Sequence, residues 1–175
     1  MMKKLFFVFA LVLPLASASS GQTTNQLHFT KAGFSIAPLE APPGETSQQV
    51  LMMFLPVTDK FAPNVNVQIQ PYAGTIAEYI ALSLEEFKRM GLKLSQQKSL
   101  GKSAVVFEYA GKLKGQPYHW YARAEKSGGK VYLVTAAATD EQWSTVASQL
   151  KTCVDSFRCD SGEPGTTPNE VAPSR

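Results

Sequence analysis

His119, Tyr121 and Arg123 alternate through the run YHWYARAE, Tyr118 to Glu125. It is the stretch of this 175-residue chain best equipped for chemistry, with an imidazole, a phenol and a guanidinium in close succession. On a strand these three share a face with Glu125, and Tyr118, Trp120, Ala122 and Ala124 share the other. The first face is either a surface for a partner or ligand, or a seat for a covering helix, since aromatics enter strands for packing reasons alone.

A catalytic constellation is not visible around it. His28 and His119 are the only histidines, far apart in sequence, and neither has a neighbour at metal-ligand spacing. The chain has no G-x-S-x-G elbow and no H-E-x-x-H. Glu85 and Glu86 are adjacent on a helix and point in different directions, so they do not form a working pair. Gly101-Lys102-Ser103 resembles the end of a phosphate loop, but Gln96 stands where the motif needs glycine, and a strand follows where a helix should. No catalytic residue, metal ligand or cofactor is therefore assigned. An enzyme would need a site assembled around His119 from distant residues, and a small-ligand carrier would need a closed apolar cavity.

Cys153 and Cys159 are the only cysteines. An even number in an exported chain points to a disulfide. An unbroken helix would hold the two Cα atoms beyond the roughly 4.4–6.8 Å a disulfide needs, so the bond requires the chain to turn back after Phe157. Two reduced thiols, one packed as a small hydrophobe, are the equal alternative. No C-x-x-C redox pair is present.

The elements that position these residues follow from periodicity. Gly33 to Pro38 reads as a short strand, Ala41 to Ser47 as a Pro/Gly loop, and Gln49 to Leu55 as a strand. Asn64 to Gln70 alternates, with Val65, Val67 and Ile69 on one face. Thr75 and Glu78 form a capping box, and Ile76, Ile80, Leu84 and Phe87 form the stripe of a helix that Gly91 ends. Three strands follow: Ala104 to Ala110, Tyr118 to Glu125, and Val131 to Ala138. The turn-rich stretch Gly111 to Pro117 joins the first two, and Ser127-Gly128-Gly129-Lys130 the last two as a tight hairpin. A final helix starts at Thr139 or Asp140, with Trp143, Val146, Leu150, Cys153 and Phe157 down one face. The fold class is α+β, a mostly antiparallel sheet with helices laid against it.

The chain starts with Lys3 and Lys4, an apolar run from Leu5 to Leu13, Pro14, and the small residues Ala16-Ser17-Ala18. This is the three-part pattern of a signal peptide over 1–18, too short to span a bilayer, which takes ~20 apolar residues. Residues 19–27 read as a flexible segment, 28–159 as one domain, and 160–175 as a disordered tail rich in Gly, Pro, Ser and Thr. The expected location is outside the cytoplasm, periplasmic or secreted, with membrane contact only through the signal peptide. Removing Lys3 and Lys4 leaves 15 Lys and Arg against 14 Asp and Glu, too balanced for a nucleic-acid binder. Seven cations between Lys88 and Lys114 face only Glu108 in sequence. They either attract an acidic partner or guard exposed strands.

Gly33-Phe34-Ser35-Ile36 with Pro38, Asn64-Val65-Asn66-Val67, Thr75-Ile76-Ala77-Glu78-Tyr79, Tyr132 to Ala138, and Ser156-Phe157 together resemble the Mog1/PsbP-like superfamily. The resemblance covers about Phe29 to Arg158 and is nearest to the exported bacterial DcrB/LpqN-type proteins. It implies an antiparallel sheet between helices, an α/β/α sandwich. It also implies a binding or accessory role with a protein partner and without a shared catalytic centre. The lipid-attachment cysteine of the lipoprotein members is absent.

Overall fold

The computed structural model describes residues 26–30, 32–37, 39 and 47–159. The signal peptide, most of the flexible segment and the tail lie outside them. Two compact units are present, residues 1–42 and 43–175. In the first, β1 (Leu27–Phe29) and β2 (Phe34–Ile36) form an antiparallel hairpin. The rings of Phe29 and Phe34 stack across it at 4.8 Å, and Gly33 takes φ +75° in the turn. Leu27, at the end of the segment read as flexible, is the first residue of β1. The strand expected over Gly33 to Pro38 is the shorter β2.

In the second unit, β3 (Gln48–Phe54), β4 (Asn64–Pro71), β5 (Lys93–Leu100), β6 (Ala104–Leu113), β7 (Gln116–Ser127) and β8 (Lys130–Thr139) form one sheet. Its order is β3-β4-β8-β7-β6-β5, every pair antiparallel. The sequence reading missed β5, which is polar on both faces. The turn over 111–117 shrinks to Lys114 and Gly115, with φ 51° and 85°, because β6 and β7 pair as far as Leu113 and Gln116. Gly128 and Gly129, both at positive φ, close the β7–β8 hairpin as two left-handed residues should. Gly101-Lys102-Ser103 is a turn between β5 and β6, with no helix to receive a phosphate.

α1 (Ile76–Arg89) opens on the capping box: Glu78 N donates to Thr75 Oγ1 at 3.2 Å, and Thr75 N donates to Glu78 Oε2 at 2.7 Å. It closes on Gly91 at φ +67°. There Gly91 N donates to the Lys88 carbonyl and Leu92 N to the Phe87 carbonyl, a Schellman ending. α2 (Asp140–Asp155) opens on Thr139 and Gln142 in the same way. Phe157 lies just past its end.

The helices cover opposite faces. Under α2 lie Val65, Val67, Val106, Val134, Ala136 and Ala138, packed against Trp143, Leu150 and Val154. Ile69 on the same face of β4 is half-buried. Under α1 lie Val105, Phe107, Ala124 and Val131, against Ile76, Ile80, Leu84 and Phe87. The unit is thus the α+β sandwich expected. α2 contributes four buried residues and α1 none, so the α1 layer is the looser one.

Candidate functional site

β7 alternates as expected: Trp120, Ala122 and Ala124 face α1, and His119, Tyr121, Arg123 and Glu125 face α2. The second set is roofed by the helix. Tyr121 and Arg123 are only 8 % and 9 % exposed. Tyr121 Oη donates to Asp155 Oδ1 at 2.9 Å. Arg123 Nη1 donates to the Asp155 carbonyl at 3.2 Å, and Nη2 to Glu125 Oε2 at 2.6 Å. Arg123 Nε is buried without a partner. Burial, then the bond to Asp155, pushes the Tyr121 hydroxyl up to about 12.

His119 sits at the centre of the polar cluster. Its ring stacks on Trp143 of α2, centroids 4.2 Å apart. Nε2 lies 3.1 Å from Glu108 Oε1 on β6, and Nδ1 lies 3.7 Å from Asp140 Oδ1 at the start of α2. Lys151 Nζ reaches the Glu108 carboxylate at 2.8 Å and stands 5.2 Å from the Tyr121 ring centroid. Burial alone would raise the Glu108 carboxyl. The hydrogen bond and charge of Lys151, helped by His119, outweigh it and hold the group below the ordinary carboxylate range. An ionised carboxylate only accepts, so in this bond Nε2 of the ring is the donor.

Chemically this is an oriented histidine without a nucleophile. Among the described residues no serine or threonine is hydrogen-bonded to the ring. Glu108 and Asp140 approach opposite nitrogens, so they do not converge on one point. Among the described residues no group of three or more His, Cys, Asp or Glu is placed to hold a metal ion. The cluster does tie β6, β7 and α2 together. Gln142 adds a further tie: its Nε2 reaches the Thr58 carbonyl at 2.6 Å and the Phe61 carbonyl at 3.0 Å. These bonds brace a turn whose Asp59 and Lys60 both hold positive φ.

Sequence reasoning placed His119, Tyr121 and Arg123 on one face but missed Glu108, Lys151 and Asp155, which reach them, and Gln142, which reaches Thr58 and Phe61. Glu108 was read as the acid opposing the cations of 88–114; instead it turns to α2. Its alternation with Val106 on a strand was the available signal. Lys93 and Lys98 lie on β5, and Lys112 and Lys114 at the β6–β7 hairpin. Cys153 is half-buried on the core side of α2 and carries a free thiol that burial pushes up. Cys159 lies beyond the helix end.

An open concavity lies on the other face. A groove of about 510 Å³ runs between α1 and the sheet, lined by Tyr79, Leu82, Phe87, Tyr109, Ala122 and Leu133 among others. Tyr79 Oη donates to Gln70 Oε1 at 2.8 Å, and burial pushes the Tyr79 and Tyr109 hydroxyls up to about 12. From the groove a file of rings continues along the sheet: Phe87 to Tyr109 at 4.4 Å, Tyr109 to Trp120 at 5.4 Å, Trp120 to Tyr118 at 5.7 Å.

Comparison with known proteins places this fold. The model of the PsbP family matches residues 75–159, and the Mog1/PsbP-like resemblance stands. A crystal structure of a Pseudomonas aeruginosa protein of unknown function, PA94, superposes with a TM-score of 0.55 at 15 % identity, over 77 % of this chain and 96 % of that one. LpqN of Mycobacterium tuberculosis, described as involved in cell envelope biogenesis, gives 0.40 at 15 % identity over 69 % and 87 %. The cyanobacterial PsbP of Synechocystis gives 0.41 at 16 % over 83 % and 98 %. The likeness to the Pseudomonas protein is one of fold. No curated protein matches the chain. Among the described residues no helix is long and apolar enough to cross a membrane.

Proposed function

We propose that this chain is an exported, non-enzymatic binding module for a protein partner. One observation carries the reading: the acid–base groups that could serve catalysis are spent on holding α2 to the sheet. His119 is stacked on Trp143 and bonded to Glu108, and Glu108 is bonded in turn to Lys151. General acid–base work needs such a group within reach of a substrate proton, and here α2 occupies that space. The PsbP match and the resemblance read from the sequence support the same reading.

The test is a hydrolase and transferase screen on the purified chain beside His119→Ala. No turnover is expected from either. Wild-type turnover that disappears in the variant would replace this reading with an enzyme built on the His119–Glu108 pair. Export is tested by N-terminal sequencing, with Ser19 expected first.

The groove under α1 favours a second reading, a carrier that holds small apolar ligands in an open groove rather than in the closed cavity expected from the sequence. Its volume lies in the range of ligand sites, ~300–1,000 Å³, and its walls are largely aromatic and aliphatic. A carrier should brighten a naphthylamine probe, and Leu82→Asp, at an exposed position on the groove's lip, should abolish that. A probe signal that the variant leaves intact would rule the groove out.

A further inference from the structure

The two edges of the six-stranded sheet are built differently. β5, at one edge, is polar and carries Lys93 and Lys98. A second β5 laid beside it would set lysine near lysine, a common guard against edge pairing. β3, at the other edge, reads QQVLMMF, and no charged residue occurs from Ser47 to Thr58. Val50, Met52, Met53 and Phe54 are 49, 41, 40 and 60 % exposed. One side of this strand is bonded to β4, and among the described residues no strand lies on the other. The register shift near Val50 leaves Leu51 to Phe54 in unbroken register with Val67 to Asn64.

We infer that β3 pairs with β3 of a second copy of this chain, antiparallel about a two-fold axis normal to the sheet. Directly opposed residues in an antiparallel pair share a face, and such an axis keeps each face on its own side. The axis must therefore pass through a residue position. Set at Met53, it opposes Met53 to Met53, Met52 to Phe54 and Leu51 to Leu55. Each exposed apolar side chain from Met52 to Phe54 then meets another, and no charge faces a like charge. The absence of charge over Ser47 to Thr58 is what makes this edge complementary to itself, whereas the lysines of β5 forbid the same union there. The surface is distinct from the groove and from the His119 cluster. An interface of one strand edge is at the small end of specific pairing, so a weak dimer is expected, with a dissociation constant on the order of tens of micromolar.

The test is sedimentation equilibrium of the processed chain, from roughly 5 to 500 µM to bracket that constant. A monomer–dimer equilibrium is expected. Met52→Lys and Phe54→Lys should each weaken it more than about tenfold, with unchanged circular dichroism, while Gln96→Lys on β5 leaves it alone. Independently, with Cys153 and Cys159 replaced by serine, Met53→Cys should form a disulfide-linked dimer under oxidation, and Ser95→Cys on β5 should not. Opposed strand residues stand ~4.5–5.5 Å apart at Cα, within disulfide reach. A monomer throughout, a dimer indifferent to both lysine variants, or Met53→Cys linking only to a foreign protein would each overturn the inference.

Discussion

Glu108→Gln tests the joint between β6, β7 and α2 most directly. The carboxylate accepts from His119 at 3.1 Å and from Lys151 at 2.8 Å. A hydrogen bond to a charged group contributes about 1.5–3 kcal/mol. The Lys151 side chain is 33 % exposed, so solvent screens its share to roughly 0.5–1 kcal/mol. Glutamine keeps one carbonyl acceptor and turns its amide hydrogens toward the other donor, so one bond survives in neutral form and one is lost. The expected cost is about 2 kcal/mol, or about 8 °C in melting temperature for a domain of this size.

The pH dependence is the sharper signature. The folded Glu108 carboxyl lies below its ordinary value, so its contribution is complete above the unfolded value of about 4.3. It is lost as pH falls through the folded value. Urea unfolding of wild type and variant should show the full gap at pH 7, little change down to about pH 4.5, and closure in stronger acid. A gap under about 0.5 kcal/mol at pH 7, or one that stays constant into acid, would refute the reasoning.

Val67 lies opposite Val134 within the α2-side core. Val67→Asp should therefore unfold the second unit, read by circular dichroism, because the carboxylate has no partner there; a folded variant would reverse the assignment of faces. Tyr79, Tyr109 and Tyr121 are each pushed up to about 12, burial being the largest cause. Three of the six tyrosines should lag in phenolate absorbance. Because the folded state favours the neutral phenol, their stabilisation is complete below about pH 10 and is lost as pH rises toward 12; six tyrosines titrating together would contradict this. In a Cys159→Ser background the Cys153 thiol, pushed up by burial, should be alkylated about tenfold more slowly than in the urea-unfolded chain, and equal rates would refute it. Amide hydrogens of α1 should exchange faster than those of α2, the reverse order contradicting the ties described below.

Much of the fold was legible because its strongest signals are local. The capping box at Thr75, the Gly128-Gly129 turn and the alternation of Val65 and Val67 each need only a few neighbouring residues. β5 was not legible, because an edge strand half-free of the core carries no apolar alternation; Lys93 to Leu100 is held by pairing with β6, which sequence does not display. β1 is three residues long, too short for a period to show. The candidate site was legible as a face and not as a cluster. His119, Tyr121 and Arg123 are spaced two apart, so the strand aligns them. Glu108, Lys151 and Asp155 make their contacts from 11 to 34 residues away, and only the β6–β7 register and the lie of α2 bring them in.

The two helices are held by different physics, and this bears on where a partner can act. α2 is fixed by polar anchors spread along its length: Gln142 to the turn at Thr58 and Phe61, Lys151 to Glu108, and Asp155 to Tyr121 and Arg123. Ala136 and Ala138 beneath it are fully buried, small enough to admit Trp143 and the His119 ring together. Moving α2 would strip partners from several buried polar groups at once, each costing about 1–3 kcal/mol. α1 rests on an apolar stripe none of whose residues is fully buried. One side-chain bond from it to the sheet, Tyr79 to Gln70, is present. Shifting α1 exchanges one apolar contact for another and leaves at most that bond unmade. A binding event that reshapes this unit therefore has its lowest-cost route through α1 and the groove beneath it. The sheet and α2 then serve as the rigid frame against which α1 moves.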